Sequence, residues 1–286
     1  MNHDSPAEIR AVLERRHIGL KKRWGQNFLI NRGARERIVG LLGASPGSLA
    51  WEIGPGLGSM TGLLLDLGAR VVAFEVDHGI ARFLRVEELA DREGVTLVEG
   101  DFLRTWRDAQ AMYGVPAFVL GNLPYRSASL MIADMVTGGL RPSRAVFTVQ
   151  RELADRLTAA PGAKTFSSFT VLCGSCFSIE GRGDLKPGSF WPAPEVVSSI
   201  VEMRPRADAP TVTEMAMLSR VTRALFASRR KTLKNNAAAA FGQAGLEVLE
   251  RAGIDLKGRA EDLEPGTFVA LARAMLAAGF PAEDDL

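Results

Sequence analysis

The first two thirds of the chain alternate short apolar runs with segments whose apolar positions follow a helical spacing. Ser48–Ile53 (SLAWEI), Arg70–Glu75 (RVVAFE), Val95–Glu99 (VTLVE), Ala117–Leu120 (AFVL) and Ala145–Gln150 (AVFTVQ) read as strands. Met60–Leu67 and Ile80–Ala90 read as helices between them, and Ile38–Leu42 closes an earlier helical stretch. Strand and helix alternating at this short spacing predict an α/β fold with a mostly parallel sheet covered on both faces. Phe169–Ile179 (FTVLCGSCFSI) reads as one more strand. From about Thr211 the texture turns helical and alanine-rich, running to the acidic end Glu283, Asp284, Asp285. The expected division is therefore an arm plus sheet domain over 1–207 and a small all-α domain over 208–286. No proline- or glycine-rich linker separates them, so the two are expected to pack together.

A chain of 286 residues, 47% hydrophobic and 24% charged, is long enough for a full core and a second, smaller domain. Met1–Arg10 is polar, and no run approaches the roughly 18 apolar residues of a membrane helix, so a cytoplasmic protein without a membrane partner is expected. The net charge of +2 identifies no polyanionic partner by itself, because the sum hides where charges sit. The two cysteines, Cys173 and Cys176, are spaced C-x-x-C, but zinc normally takes four ligands and the histidines His3, His17 and His78 are scattered. No metal is expected. On a strand the cysteines would face opposite ways as buried thiols.

Glu52-Ile53-Gly54-Pro55-Gly56-Leu57-Gly58 is a G-x-G-x-G turn between a strand and a helix, where glycine lets backbone approach a ligand closely. Glu75 ends the next strand 21 residues past Gly54, the place of a carboxylate that accepts from ribose hydroxyls. Asp101 follows the third strand and suits an adenine amino group. Both carboxylates have an alternative reading as helix caps. Three such features at successive strand ends favour an adenosine-bearing cofactor.

Asn122-Leu123-Pro124-Tyr125 follows the fourth strand and should share that carboxyl edge. Adenine N6 is a poor nucleophile because its lone pair is delocalised into the ring. The Asn122 side-chain oxygen and the Leu123 carbonyl would hold both amino hydrogens, Pro124 would fix the backbone, and Tyr125 would stack on a flipped base. Transfer from an activated sulfonium needs no strong base, which suits so few histidines. The alternative is an ordinary Asn-Pro turn.

Further motifs occur in order: Lys22-Arg23-Trp24-Gly25-Gln26-Asn27-Phe28-Leu29, Phe74-Glu75-Val76-Asp77, Gly100-Asp101, Val149-Gln150-Arg151-Glu152, Phe190-x-Pro-x-Pro-x-Val-x-Ser ending at Ser198, and Arg229-Arg230-Lys231-Thr232-Leu233. With the glycine turn and the tetrapeptide, nearly the whole chain resembles the bacterial KsgA/RsmA family of ribosomal RNA small-subunit adenine N6,N6-dimethyltransferases. The resemblance implies a Rossmann-like S-adenosylmethionine-dependent methyltransferase sheet, with Asn27 and Leu29 joining Gly54, Glu75, Asp101 and Asn122 at the cofactor. It implies that Phe190 and Tyr125 sandwich the target base. It also implies 16S ribosomal RNA, within the small (30S) subunit or its precursor, as partner. The family's usual Asn-Ile-Ser-Thr after the tetrapeptide is here Arg126-Ser127-Ala128-Ser129, which changes the pocket rim. Residues 1–19 carry no assigned motif.

Between Met215 and Leu246 stand Arg220, Arg223, Arg229, Arg230, Lys231 and Lys234 without one acid. At 100° per residue Arg223, Arg230 and Lys234 would form a stripe suited to RNA phosphates, the alternative being a solvated helix face. Arg15, Arg16, Lys21, Lys22 and Arg23 make a second basic cluster, so arm and helical domain are expected to bracket an RNA hairpin bound by a monomer. Two other functions fit less well. A large-subunit enzyme of the macrolide-resistance type usually carries Ile at the position of Leu123, and an assembly factor has no need of an intact tetrapeptide.

Overall fold

The computed structural model describes residues 1–20 and 25–282. Lys22 and Arg23, named above as RNA contacts, lie outside the described residues, as do Lys21, Trp24 and the acidic Glu283, Asp284 and Asp285.

In chain order the strands are β1 (Phe28–Leu29), β2 (Leu49–Ile53), β3 (Arg70–Glu75), β4 (Val95–Glu99), β5 (Phe118–Asn122), β6 (Arg144–Gln150), β7 (Phe177–Leu185), β8 (Phe190–Trp191) and β9 (Ser198–Pro205). The helices are α1 (Pro6–Arg15), α2 (Arg32–Leu42), α3 (Ser59–Asp66), α4 (His78–Phe83), α5 (Phe102–Tyr113), α6 (Ala128–Thr137), α7 (Arg151–Leu157), α8 (Ser168–Cys176), α9 (Val212–Leu225), α10 (Leu233–Arg251) and α11 (Pro265–Ala277).

Seven strands form one sheet in the order β4-β3-β2-β5-β6-β9-β7, with β2 to β6 parallel and β9 antiparallel to β6. This is the Rossmann-like α/β arrangement. On one face Ile38, Val39 and Leu42 of α2 and Leu64 of α3 pack over Ala50, Val71, Leu120 and Val146. Burial of a side chain such as Ile38 or Leu42 stabilises the fold by about 1.5 to 3 kcal/mol. An aromatic chain fills the other side: Trp51 meets Phe74 at 5.1 Å, Phe74 meets Phe102 at 5.1 Å, and Phe102 stacks on Trp106 at 6.4 Å. Strand order reverses at β2, whose neighbours are β3 and β5. Open α/β sheets bind ligands at the carboxyl end of such a switch point.

The chain divides into two compact units, Met1–Met131 with Arg141–Ala154 and Glu180–Arg204, and Ile132–Leu140 with Asp155–Ile179 and Pro205–Leu286. The second unit thus takes in segments that precede residue 208. Its helices share a core of Met215, Leu218 and Val221 from α9 and Phe268, Leu271 and Met275 from α11. Phe226 lies between Phe166 and Phe268 at 6.0 and 5.6 Å.

Two sequence expectations are corrected here. Phe169–Ile179 is not one strand: Ser168–Cys176 forms α8, and β7 begins at Phe177. The helix is nucleated by a reciprocal cap between Ser167 and Thr170, and it is buried nearly all round, a pattern that periodicity cannot tell from a buried strand. Cys173 and Cys176 consequently sit one helical turn apart rather than on opposite faces, both fully buried, with Cys176 Sγ donating to Met215 Sδ at 3.3 Å. The helix expected over Ile80–Ala90 starts earlier, at His78 after the Asp77 cap, and passes into a π-helical turn over Leu84–Glu88.

Candidate active site

The carboxyl ends of β2, β3 and β5 lie level, since Ile53 pairs with Phe74 on one side and Gly121 on the other. The backbone ties this edge together: the Gly54 amide donates to the Phe74 carbonyl at 3.0 Å and the Gly100 amide to the Glu75 carbonyl at 2.8 Å. Gly54, Glu75, Asp101 and Asn122 therefore stand along one rim. Gly54, Gly56 and Gly58 all have positive φ, at 72°, 55° and 88°, where a side chain is strained. At Gly56 a Cβ would also meet the Phe28 ring at 3.1 Å. Gly121 is held differently, because a Cβ there would stand 2.7 Å from the Ile53 carbonyl oxygen. Only glycine lets β5 approach β2 so closely.

Two cavities open on the rim and share Gly54, Glu75, Val76 and Pro124. One extends toward Asp101, Phe102 and Met131. The other runs past Gly56 and Ser59 to Asn122, Asn27 and Leu29. Glu75 is at the junction, 5% exposed, and its carboxylate accepts from the Asp77 amide at 2.8 Å. Burial pushes its pKa up to about 7 against the opposing backbone hydrogen bonds. Asp101 does cap α5, accepting from the Leu103 amide at 3.1 Å, and it also lines its cavity. Glu75 caps no helix; Asp77 does.

Glu52, at the start of the glycine motif, was missed as a special group. Its side chain is fully buried, Thr61 Oγ1 donates to its Oε2 at 2.6 Å, and its Oε1 is buried without a hydrogen-bond partner among the described residues. Burial pushes this carboxyl up to about 7. A charged residue in an apolar strand was the available signal.

The tetrapeptide is fixed at both ends. Asn122 pairs with Thr148, and the Leu123 amide donates to the Thr148 carbonyl at 3.0 Å. The Pro124 carbonyl accepts from Ser127 and Ala128 at 3.0 and 2.9 Å, which turns the chain toward α6. Asn122 Nδ2 donates to the Asn27 carbonyl at 2.7 Å, an arrangement that commits the nitrogen end of the carboxamide and presents the oxygen end as the acceptor. Tyr125 Oη shares a 2.6 Å hydrogen bond with Ser198 Oγ, whose side chain is buried at the head of β9. Burial raises the Tyr125 phenol above its ordinary value. Ser198 thus gives the last residue of the Phe190-to-Ser198 motif a part that sequence reasoning had left blank.

Phe190 is placed differently from expectation. It is 2% exposed, belongs to the core that includes Leu29, Ile38 and Leu185, and pairs with Leu29 across β1 and β8. Alternation along β8 turns Phe190 inward and leaves Trp191 half-buried, stacked on Phe28 at 6.4 Å. The arm itself is held by Asn122, by Gln26 Nε2 donating to Asp77 at 3.4 Å, and by the Ile30 amide donating to the Ser189 carbonyl at 2.9 Å.

In the second unit Arg223, Arg229, Arg230, Lys231 and Lys234 are all exposed, but not on one continuous helix. α9 ends at Leu225 and α10 starts at Leu233, so the stripe drawn at 100° per residue does not exist. The buried Asn236 makes the break, donating from Nδ2 to the Leu225 and Ser228 carbonyls at 2.8 and 3.0 Å, and Thr232 caps α10. Arg229 is occupied with Glu261 and with the Lys164 carbonyl at 2.7 Å. Arg230 and Lys231 lie in the connecting turn ahead of Lys234.

Among the described residues no group of three His, Cys, Asp or Glu is arranged for a metal, and no helix is long and apolar enough to cross a membrane.

The family model described as ribosomal RNA adenine dimethylase matches residues 18–275. A protein named ribosomal RNA small subunit methyltransferase A from Treponema denticola is 37% identical over 276 residues, 94% of each chain. One of the same name from Phenylobacterium zucineum is 34% identical, covering 97% of this chain and 95% of that one. A dimethyladenosine transferase of Plasmodium falciparum matches in fold with a TM-score of 0.73 at 22% identity, over 87% of this chain and 97% of that one. The 23S rRNA methyltransferase ErmE does so with 0.64 at 24%, over 87% and 99%. Sequence, rim and relatives agree, and the chain belongs to the ribosomal RNA adenine dimethylase family.

Proposed function

We propose that this chain transfers methyl groups from S-adenosylmethionine to the exocyclic N6 of adenine, dimethylating two adjacent adenosines in the 3′-terminal hairpin loop of 16S ribosomal RNA. It acts as a monomer in the cytoplasm on the small (30S) subunit or its precursor. The observation that carries the reading is Asn122 held against Asn27 beside the glycine turn, with an amide oxygen presented at the rim. Relatives named for the small subunit at 34% and 37% identity support that particle over the large one.

The rim fits the cofactor. Gly54 has nothing within 4 Å of where a Cβ would stand, so the turn leaves an open cradle. Glu75 offers a buried acceptor to ribose hydroxyls, Asp101 an acceptor to the adenine amino group, and Asn27 and Leu29 border the opposite end. When bound, the cofactor supplies an electrophilic methyl on a sulfonium sulfur.

The chain's own residues supply the rest. The Asn122 oxygen and the Leu123 carbonyl accept the two N6 hydrogens, which turns the nitrogen lone pair out of conjugation and toward the methyl. Pro124 fixes that carbonyl, and Ser198 holds the Tyr125 ring where it can stack on the extruded base. Such stacking is worth about 1 to 3 kcal/mol. Proton loss follows transfer, so orientation rather than basicity is the protein's contribution. The exposed Arg223, Arg229, Arg230, Lys231 and Lys234 meet RNA phosphates, and Lys22 and Arg23 extend that role to the arm.

The test is incubation with labelled S-adenosylmethionine and unmethylated small or large subunits, followed by nucleoside analysis. Label in N6,N6-dimethyladenosine from small-subunit RNA is expected. Label confined to large-subunit RNA would move the chain to the resistance type, and none in either would leave an assembly factor.

A further inference from the structure

The family model begins at residue 18, yet the structure builds a helix before it that reaches the rim. α1 is self-specified: Ser5 caps it by accepting from the Glu8 amide at 3.3 Å, and Pro6 opens its first turn. Its apolar face, Ile9, Val12 and Leu13, packs against Leu57 of the glycine turn and against Ile80, Phe83 and Leu84. Ile9 of this helix and His3 just ahead of it also line the same cavity as Gly54, Glu75 and Asn122.

The segment ahead of α1 is fastened by polar ties to the π-helical turn that follows α4 and, through α2, to the β1 arm. His3 Nε2 bonds Glu88 Oε1 at 2.9 Å in the π-helical turn. Asp4 pairs with Arg35, a guanidinium only 5% exposed, which also donates to the Leu29 carbonyl at 2.7 Å. The ties join the first residues to the β1 arm, whose Leu29 borders the cofactor end. At the far end of the helix, Arg16 pairs with Glu87.

We infer that the N-terminal segment 3–15 is a built wall of the cofactor site, with Ile9 and His3 as contacts for the aminoacyl end and the polar ties setting how long the cofactor stays bound. The inference rests on the S-adenosylmethionine reading above. On that reading Asp101 marks the adenine end and Glu75, at the junction, the ribose, so the cavity that Ile9 and His3 line beyond Glu75 is left for the other end.

The experiment is calorimetry on the full chain with S-adenosylmethionine and with adenosine, plus stopped-flow release of S-adenosylmethionine. It compares Ile9→Ala, Leu13→Ala and His3→Ala. Ile9 and Leu13 sit in the same core, so both alanines lower the melting temperature, but Leu13 does not line the cavity. Ile9→Ala is expected to raise the S-adenosylmethionine Kd about five- to tenfold and speed release, with adenosine affinity unchanged. Leu13→Ala should leave both affinities within about twofold. His3→Ala removes a partly exposed side chain without opening the core and should speed release by itself. Equal weakening by Ile9→Ala and Leu13→Ala, or none by Ile9→Ala and His3→Ala, would overturn the wall. A wild-type chain that takes up adenosine but not S-adenosylmethionine would instead overturn the cofactor reading and the inference with it.

Discussion

Asn122 reaches across 95 positions of sequence to donate its carboxamide N–H to the main-chain oxygen of Asn27 at 2.7 Å. One side chain thereby closes the arm onto the end of β5 and fixes which end of its carboxamide faces the rim. On the proposed function, ground-state binding of the cofactor and activation of the amine are separate tasks of that residue, and substitutions divide them.

Asn122→Ala removes an acceptor that matters most as charge develops on N6. The transfer step should slow by about 10³-fold or more, with cofactor affinity changed less than about tenfold. Asn122→Asp keeps an acceptor but sets a carboxylate against the Asn27 carbonyl, so its affinity should fall further than that of the alanine. Single-turnover methylation alongside calorimetry separates the two effects.

Glu75 titrates near 7 because burial favours its neutral form, while ribose hydroxyls favour the ionised one. Cofactor binding should therefore lower its pKa, release up to about 0.5 proton at pH 7, and tighten as pH rises from 6 to 8. Calorimetry in buffers of different ionisation enthalpy reads the proton count. Glu75→Gln should abolish it and weaken binding about ten- to a hundredfold.

Glu52 gives a stability signature. Its folded pKa of about 7 stands above the unfolded value of 4.5, so the native chain holds the proton more tightly and stability declines as pH rises between those values. The decline is on the order of 3 kcal/mol by pH 8. Denaturant midpoints of Glu52→Gln should lose that part of the slope and leave the contribution of Glu75.

Arg229 and Arg230 are neighbours in sequence with different expected phenotypes. Arg229→Gln breaks the Glu261 pair and the tie to the Lys164 carbonyl, which costs about 1 kcal/mol of stability besides weakening RNA. Arg230→Glu should weaken RNA binding and flatten its salt dependence, with the melting temperature and cofactor affinity unchanged. Filter binding across a salt series, with melting curves, compares them.

The sheet was legible because β2 to β6 are apolar runs punctuated by glycine, and the strands at 70–75 and 95–99 match residue for residue. The rim followed from motif position alone, since a strand end fixes where the next residue stands. Features carried by distant partners were not legible. α8 looks like a strand because burial on all sides erases the helical period. The break between α9 and α10 depends on Asn236 turning back to carbonyls eight and eleven residues earlier, which no spacing rule sees. Phe190 goes inward because β8 pairs with β1, a two-residue ladder across more than 160 positions. α1 has its cap and proline in plain view at Ser5 and Pro6, but nothing local says what its apolar face covers.

Gly121 sets a limit of another kind. The spacing between the glycine turn and Asn122, on the proposed reading the places of methyl donor and base, is gauged by main chain against main chain, at the one position where an added methyl would strike the Ile53 oxygen at 2.7 Å. An alanine there would wedge the two strand ends apart and lengthen the path of transfer without touching a single reacting group. Downstream of the tetrapeptide the packing is uneven by contrast, with Arg126 exposed and Ala128 fully buried.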